Sequence, residues 1–307
     1  MMGKFTGKTA FITGGASGMG LGMAQSFANA GMRVVMADIR QDALDDAMKM
    51  FGTTNLAVGA VQLDVTDRAG WIEAAEKAEA MFGNIHVLVN NAGVGLTGML
   101  DAMTYKDWDF SLGVNLGGVV NGVTAMLPRI KAHGEGGHVL ATSSTAGIAA
   151  VAGAGMYCAA KYAVTGLMET LASELQGTNI GASVFIPGPV NTNLGATTDQ
   201  VRPAHLRNEA AGFDPLSPPE FDASVFMSKE EVGDRVLRGM ERGDLYIITH
   251  PEFREGIKAR NDALLRAIPD EPIDTARADV IRTFGTLLHN PIYDGQMAVP
   301  GWTRGAE

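Results

Sequence analysis

The chain has 307 residues, 46% of them hydrophobic and 19% charged, with a formal net charge of −10 and a pI near 5.1. That composition suits one large α/β domain and excludes a disordered chain. The acidic balance repels phosphate backbones, so nucleic acid is excluded as a partner, and no basic amphipathic stretch or roughly 20-residue apolar run points to a membrane. A lone cysteine, Cys158, precludes an intrachain disulfide and fits a reducing compartment. The segment Met1–Thr9 lacks the apolar core of a signal peptide. The expectation is therefore a cytoplasmic protein.

In chain order, short apolar runs rich in Val and Ile alternate with helical stretches. The runs are Thr9–Thr13, Arg33–Asp38, Ala57–Asp64, Ile85–Asn90, His138–Thr142 and Gly181–Ile186. Near-continuous apolar strands are what a parallel sheet covered on both faces requires. Spacers such as Gln41–Met50 and Ala69–Met81 carry helical periodicity. Strand and helix in this alternation predict a Rossmann-like, doubly wound parallel sheet. The pattern changes near Asn193. Ala204–Pro219, with prolines at 203, 215, 218 and 219, reads as a long excursion and a substrate lid. A helix over Ser228–Glu241 follows, with Ser228 as N-cap and Glu231 as its capping-box partner. Leu245–Thr249 is predicted as a last strand, and helices are expected at Arg254–Ala267 and Asp274–Leu288. The organisation expected is one domain over 1–307, with a cofactor-binding and catalytic core at 4–193 and a lid and C-terminal extension at 194–307.

Three features carry chemistry. The first strand runs into Thr13-Gly14-Gly15-Ala16-Ser17-Gly18-Met19-Gly20 ahead of a helix. Glycines there let the backbone approach a pyrophosphate, and the helix start offers unpaired N–H groups to it. The second strand ends at Asp38, 18 residues after Gly20. A carboxylate in that place accepts hydrogen bonds from ribose hydroxyls and repels a 2′-phosphate, which favours NAD over NADP. Arg40 is the one nearby basic group that could hold a phosphate. Asp64-Val65 and Asn90-Asn91-Ala92-Gly93 end the third and fourth strands at the same edge, where Asp64 is placed for the adenine amino group. The third feature is Tyr157 and Lys161, four apart and so on one helical face, with Ser144 13 residues upstream of Tyr157 at the end of the fifth strand. Ser143 is the rival serine. Asn115 interrupts the helical-looking stretch Leu112–Val120, where asparagine is unfavourable without a special purpose.

Those residue types fit hydride transfer at an oxygen-bearing carbon. A phenol with a pKa near 10 is a poor base at neutral pH, and a neighbouring ammonium together with a positive nicotinamide lowers it. A shift of about three units corresponds to roughly 4 kcal/mol, within reach of two close charges in a partly dry site. Ser144 is suited to holding the substrate oxygen. Asn115 is suited to binding a water that links Lys161 to solvent. The six histidines show no ligand spacing and no Gly-x-Ser-x-Gly elbow is present, so neither a metal site nor a serine hydrolase is expected.

Taken together and in this order, the motifs resemble the short-chain dehydrogenase/reductase family over roughly residues 4–195. The match is carried by Thr13–Gly20, Asp38, Asp64-Val65, Asn90–Gly93, Asn115, Ser144, Tyr157-x-x-x-Lys161 and Pro187-Gly188-Pro189-Val190-Asn191-Thr192. The resemblance implies an NAD-dependent alcohol dehydrogenase or ketone reductase. Its catalytic residues would be Asn115, Ser144, Tyr157 and Lys161. Its cofactor residues would be Gly14, Ser17, Gly18, Met19, Gly20, Asp38, Asp64, Val65, Asn91, Ala92, Gly93, Tyr157, Lys161, Pro187, Gly188, Val190 and Thr192, with the last four wrapping the nicotinamide.

Family members pair through the helices after the fourth and fifth strands, which implies a homodimer. The extended ending, Leu245–Thr249 followed by His250-Pro-Glu-Phe-Arg-Glu-Gly256, departs from the common pattern and puts the family's tetramer contact in doubt. It resembles a bacterial subgroup that includes dehydrogenases oxidising the benzylic alcohol of lignin-derived β-aryl ethers. Small residues over Thr145–Met156, and Leu206, Phe213, Leu216, Phe221, Val225 and Phe226 in the excursion, suggest a bulky apolar or aromatic secondary alcohol or ketone. Two alternatives stand beside this one: a non-catalytic NAD(H)-binding sensor, and a reductase of steroid or acyl-thioester ketones.

Overall fold

The computed structural model describes residues 3–208, 225–285 and 288–301. Among these, seven parallel strands form one sheet in the order β3-β2-β1-β4-β5-β6-β7. They are β1 (Thr9–Thr13), β2 (Arg33–Asp38), β3 (Val58–Gln62), β4 (Val87–Asn90), β5 (Gly137–Thr142), β6 (Ile180–Ile186) and β7 (Tyr246–Ile248). The helices between them are α1 (Gly18–Asn29), α2 (Gln41–Phe51), α3 (Arg68–Phe82), α4 (Tyr105–Leu112), α5 (Gly118–Ala132), α6 (Gly155–Glu174), α7 (Leu194–Val201) and α8 (Lys229–Arg242). Helices α9 (Arg254–Arg266) and α10 (Thr275–Arg282) follow β7. The last helix is shorter than the sequence suggests. Asp274 caps it by accepting from the Arg277 N–H at 3.0 Å, and it ends well before Leu288.

Side chains in a strand alternate between faces, and the apolar runs feed two cores. Ile12, Val34 and Met36 pack with Phe27 of α1, Leu44 of α2 and Val236 of α8. Phe11, Val35 and Ala37 pack on the other face with Trp71 of α3, Met126 of α5 and Val164 of α6. Both faces are thus covered, the condition that made the strands read as continuous apolar runs. Strand order reverses at the β1/β4 pair, and the carboxyl edge there is where open α/β sheets bind ligands.

Helix α8 crosses α1 closely. A Cβ on Gly22 would fall 1.9 Å from the Lys229 carbonyl oxygen, and one on Gly233 2.3 Å from that of Gly22. This brings the start of α8 beside the start of α1. Ser228 caps α8 by accepting from the Glu231 N–H at 3.2 Å. The reciprocal half of the predicted capping box is absent, because the Glu231 carboxylate accepts from Arg235 at 2.6 and 3.0 Å instead. The run Tyr105–Ala132, 28 residues through α4 and α5, is by length and composition long and apolar enough to cross a membrane. Here it lies along the sheet and packs Phe110, Val119, Met126 and Ile130 inward.

Candidate active site

A cleft of about 790 Å³ opens at the carboxyl edge, over the β1/β4 switch point. The glycine loop forms one wall. Gly14 has φ +62°, and a Cβ on Gly20 would fall 2.0 Å from the Gly14 carbonyl oxygen, so the turn closes only on glycine. Ser17 is the N-cap of α1, yet its hydroxyl makes no capping bond and instead accepts from Arg40 Nη2 at 2.8 Å. The first turn of α1 also holds no acidic residue. Its amides and positive end therefore remain for an anion in the cleft, which is what a dinucleotide pyrophosphate needs. Gly14, Ser17, Gly18, Met19, Asp38, Asp64, Val65, Asn91, Ala92 and Gly93 all line the cleft, as do Asn115, Tyr157, Lys161 and Thr192.

Asp38 is buried at the end of β2 and accepts from the Ala16 and Arg40 amides at 3.4 and 3.1 Å. Arg40 Nε lies 3.6 Å from the same carboxylate. The basic group that raised the possibility of a bound phosphate is therefore drawn onto Asp38 and Ser17. Asp64 accepts from the Thr66 amide and hydroxyl at 2.9 and 2.8 Å. Asn91 ties β4 to β1: its amide donates to Thr13 Oγ1 at 2.9 Å and its Nδ2 to the Thr13 carbonyl at 3.1 Å. Thr142 Oγ1 donates to its Oδ1 at 3.2 Å.

The two serines after β5 separate cleanly. Ser143 is buried, donating to the Lys161 carbonyl at 2.9 Å and sharing a 2.8 Å bond with Thr165. Ser144 is half-exposed and hydrogen-bonded to Tyr157. Lys161 is buried, its Nζ donates to the Thr142 carbonyl at 2.9 Å, and it lies 5.5 Å from the Tyr157 ring centroid. Burial pushes Lys161 down to about 8. Burial also pushes Tyr157 up, against a lowering by the Ser144 hydrogen bond. The sequence argument expects a lowered phenol. In the protein by itself desolvation outweighs the Ser144 hydrogen bond, and the Lys161 ammonium donates to Thr142 and not to the phenol.

Asn115 sits in a π-helical turn, Gly113–Gly117, between α4 and α5. Its side chain is completely buried and pairs with one backbone residue: Oδ1 accepts from the Val94 N–H at 3.1 Å and Nδ2 donates to the Val94 carbonyl at 2.9 Å. Nδ2 also donates to Ser111 Oγ at 3.3 Å, so the side-chain amide is spent on holding the segment after β4 and α4. Such turns commonly mark functional sites. Cys158, beside Tyr157, is a small packed side chain against Ala146 and Ala154.

Pro187, Gly188, Val190 and Thr192 follow β6. Thr192 Cγ2 lies 3.3 Å from where a Gly18 Cβ would be, so this loop meets the glycine turn across the cleft. Helix α7 and the turn after it form a further wall, contributing Leu194, Val201 and Leu206, and Phe110 and Val114 also line the cleft. Arg202 anchors this wall, donating to Asp107 at 2.7 Å and to the Leu206 carbonyl at 2.6 and 2.8 Å. Burial pushes the Asp107 carboxyl up, but hydrogen bonds from Thr104, Arg202 and Asn208 outweigh it and hold the group below its usual range. Of the apolar residues expected in the excursion, Phe213, Leu216 and Phe221 lie outside the described residues, and Val225 is exposed.

In the sequence, no site role attaches to Ser228–Glu230, Phe110, Val114 or His250; Ser228 stands only as a helix cap and His250 only in the C-terminal motif. Phe110 and Val114 precede Asn115 on one helical run. The start of α8 reaches the cleft only through its crossing with α1. Away from the cleft, His86, His133 and Glu135 converge although the sequence separates them. Every ring nitrogen there is already engaged: His86 with the Thr9 amide and Glu135, His133 with the Glu135 amide and the Ile85 carbonyl. The cluster reads as an internal network that ties loops at the amino-terminal edge.

Residues 8–202 match the short chain dehydrogenase family. A Cα-dehydrogenase from Sphingobium sp. strain SYK-6 is 36% identical over 274 residues, 87% of this chain and 88% of that protein. A short-chain dehydrogenase/reductase from Burkholderia phymatum, solved in complex with NAD, superposes with a TM-score of 0.78 at 32% identity, over 88% of this chain and 99% of that one. LigO of Sphingobium sp. strain SYK-6, solved in its apo form, gives 0.73 at 39% identity, over 92% and 98%. The chain belongs to the short-chain dehydrogenase/reductase family. It is an oxidoreductase that interconverts an alcohol and a carbonyl compound with a nicotinamide cofactor.

Proposed function

We propose that the protein is an NAD-dependent dehydrogenase of bulky aromatic secondary alcohols, with Ser144, Tyr157 and Lys161 as catalytic residues and Asn115 as their support. The observation that carries this reading is that Tyr157, which lines the cleft with Lys161, has the Ser144 hydroxyl as its hydrogen-bond partner and the buried Lys161 ammonium 5.5 Å from its ring.

Bound NAD⁺ supplies the hydride acceptor and a positive ring. The Ser144 hydroxyl holds the substrate oxygen and stabilises the charge that develops on it. Tyr157 Oη takes the hydroxyl proton as the C–H hydride leaves the same carbon, which balances the oxidation to a ketone. Lys161, charged below about pH 8, stabilises the phenolate. Asn115 holds the backbone after β4 through Val94, and its own backbone in the π turn is the place for a relay water.

Preference for NAD over NADP is supported by the buried Asp38 carboxylate and by Arg40 being engaged with it and with Ser17. An aromatic substrate is supported by the apolar wall of Phe110, Val114, Leu194, Val201 and Leu206, and by the similarity to a Cα-dehydrogenase. We assign residues 4–193 to cofactor and catalysis and 194–307 to the substrate wall and extension, within one domain. The outer faces of α5 and α6 suit a homodimer contact, with Val120 exposed on α5. The single free, buried Cys158 fits a cytoplasmic setting.

The test is Tyr157→Phe. Turnover of 1-arylalkan-1-ols with NAD⁺ should fall by about 10²–10⁴-fold, the usual contribution of a positioned acid–base group, while NADH affinity, read by fluorescence titration, stays within about twofold. Near wild-type turnover in the variant refutes the assignment of the base. Preference of the wild type for small charged alcohols refutes the aromatic substrate.

A further inference from the structure

We propose that His250 is a positioning residue of the hydride-transfer centre, its neutral imidazole clamping the Pro187–Thr192 loop and releasing it on protonation. The inference rests on reading that loop as the nicotinamide cradle.

Strands β6 and β7 run parallel, with Ile186 paired to Ile248, and both chains leave the sheet side by side. On one side comes Pro187-Gly188-Pro189, on the other Thr249-His250. The imidazole fills the space between them. Its Nδ1 accepts from the Gly188 N–H at 3.2 Å and shares a 2.8 Å hydrogen bond with the Thr249 hydroxyl. Its Nε2 lies 3.1 Å from the Pro189 carbonyl oxygen. A nitrogen facing an N–H must be the acceptor and one facing a carbonyl must be the donor, so the partners assign the neutral Nε2–H tautomer.

The loop cannot supply this pairing itself. Pro189 has no N–H, and the Pro187 carbonyl is taken by the Thr145 amide at 3.2 Å, next to Ser144. The ring also crowds Gly188: a Cβ there would fall 2.7 Å from His250 Cγ and 2.5 Å from Phe253 Cε2. One loop is thus held from the Ser144 side by Thr145 and from the extension side by His250, and it carries Asn191 and Thr192 into the cleft. The residue comes from the extended ending, so the extension contributes to the cofactor site as well as to the outer surface.

A doubly protonated ring turns the acceptor into a donor that faces the Gly188 N–H, and that arm of the clamp is lost. The charged groups around the ring are Arg235 and Glu231 on α8 and Glu252 in the turn after His250. Arg235 donates to the Thr249 carbonyl at 2.9 Å and is paired with Glu231. The Pro187–Thr192 loop and the Thr145 segment bring no titratable side chain. Burial is the largest influence and pushes His250 below 6.5; Arg235 lowers it further, while the Pro189 hydrogen bond, Glu252 and Glu231 raise it. The clamp is therefore whole above the ordinary histidine range and lost as pH falls below it.

The experiment is NADH binding, by fluorescence titration between pH 7.5 and 5, on the wild type, His250→Asn, His250→Phe and Tyr157→Phe. Asn places an oxygen where Nδ1 sits, accepts from Gly188 and does not titrate. Phe keeps the ring packing and removes both hydrogen bonds. Wild-type affinity should fall by roughly fivefold or more across the range and that of His250→Asn should stay flat. His250→Phe should bind NADH more weakly by roughly tenfold at pH 7.5, the scale of one or two lost neutral hydrogen bonds, and remain folded at that pH with a modestly lowered thermal midpoint. Superimposable pH profiles for wild type and His250→Asn, or wild-type affinity in His250→Phe, overturn the proposal. If in that case the wild type still binds NADH and Tyr157→Phe binds without turnover, the nicotinamide reading stands and only the clamp falls. A wild type that does not bind NADH at pH 7.5 overturns both.

Discussion

Lys161→Met separates the energetic cost of a catalytic charge from its use. Lys161 is 3% exposed, and burial lowers it from 10.5 to about 8. Keeping it charged at pH 7 therefore costs the folded state roughly 3 kcal/mol. Methionine has a similar shape and no charge, but it leaves the Thr142 carbonyl without its 2.9 Å donor, a loss of about 1–2 kcal/mol. The variant should be inactive and yet more stable than wild type at pH 7 by about 1–2 kcal/mol. Because the folded pKa lies below the unfolded one, the native state binds fewer protons than the unfolded chain between pH 8 and 10.5. Wild-type stability relative to the variant should therefore climb through that window by about 1.4 kcal/mol per pH unit, or about 2 kcal/mol between pH 8 and 9.5. Urea unfolding of both proteins across pH 7–9.5 measures the difference. A difference that does not change with pH means that Lys161 is not carrying a buried charge at neutral pH. A variant less stable than wild type at pH 7 means that the Thr142 hydrogen bond outweighs desolvation.

Asp38→Ala should weaken NADH binding by about tenfold or more through loss of the ribose hydrogen bonds. It also frees Arg40, so NADPH affinity should change little or improve; parallel titrations of the two cofactors measure the ratio, and an unchanged ratio refutes the role given to Asp38. Arg202→Met removes the buried pair with Asp107 and the bonds to the Leu206 carbonyl. The KM for an aryl alcohol should rise by about tenfold with NADH affinity intact, at some loss of stability because the Asp107 carboxylate is left with fewer partners. An unchanged KM means that the 194–208 segment does not shape the substrate side.

The cofactor half of this protein was legible in the residues because its signals are local. A glycine turn between an apolar run and a helix, carboxylates at strand ends, and small residues at Asn91–Gly93 each restrict what the backbone does within a few residues. The strand runs follow from burial on both faces, which leaves no polar alternation to misread. The spacing of Ser144, Tyr157 and Lys161 likewise survives into three dimensions, since strand β5 and helix α6 are adjacent in the chain.

What depended on distant elements came only with the tertiary structure. Ser143 and Ser144 are chemically the same, and the packing of Thr165 and Lys161 decides which one turns inward. The π turn at Asn115 arises because its side chain meets Val94, a residue 21 positions away. Whether the phenol of Tyr157 rises or falls depends on the balance of burial against the Ser144 hydrogen bond, with the neighbouring lysine donating to Thr142. The start of α8 reaches the cleft through a glycine crossing more than 200 residues apart in the chain. His250 meets Gly188 across 62 residues because β6 and β7 are neighbours in the sheet. Local backbone preferences and apolar periodicity are written in the order of residues. Desolvation and hydrogen bonds between distant segments exist only once the chain has closed around them.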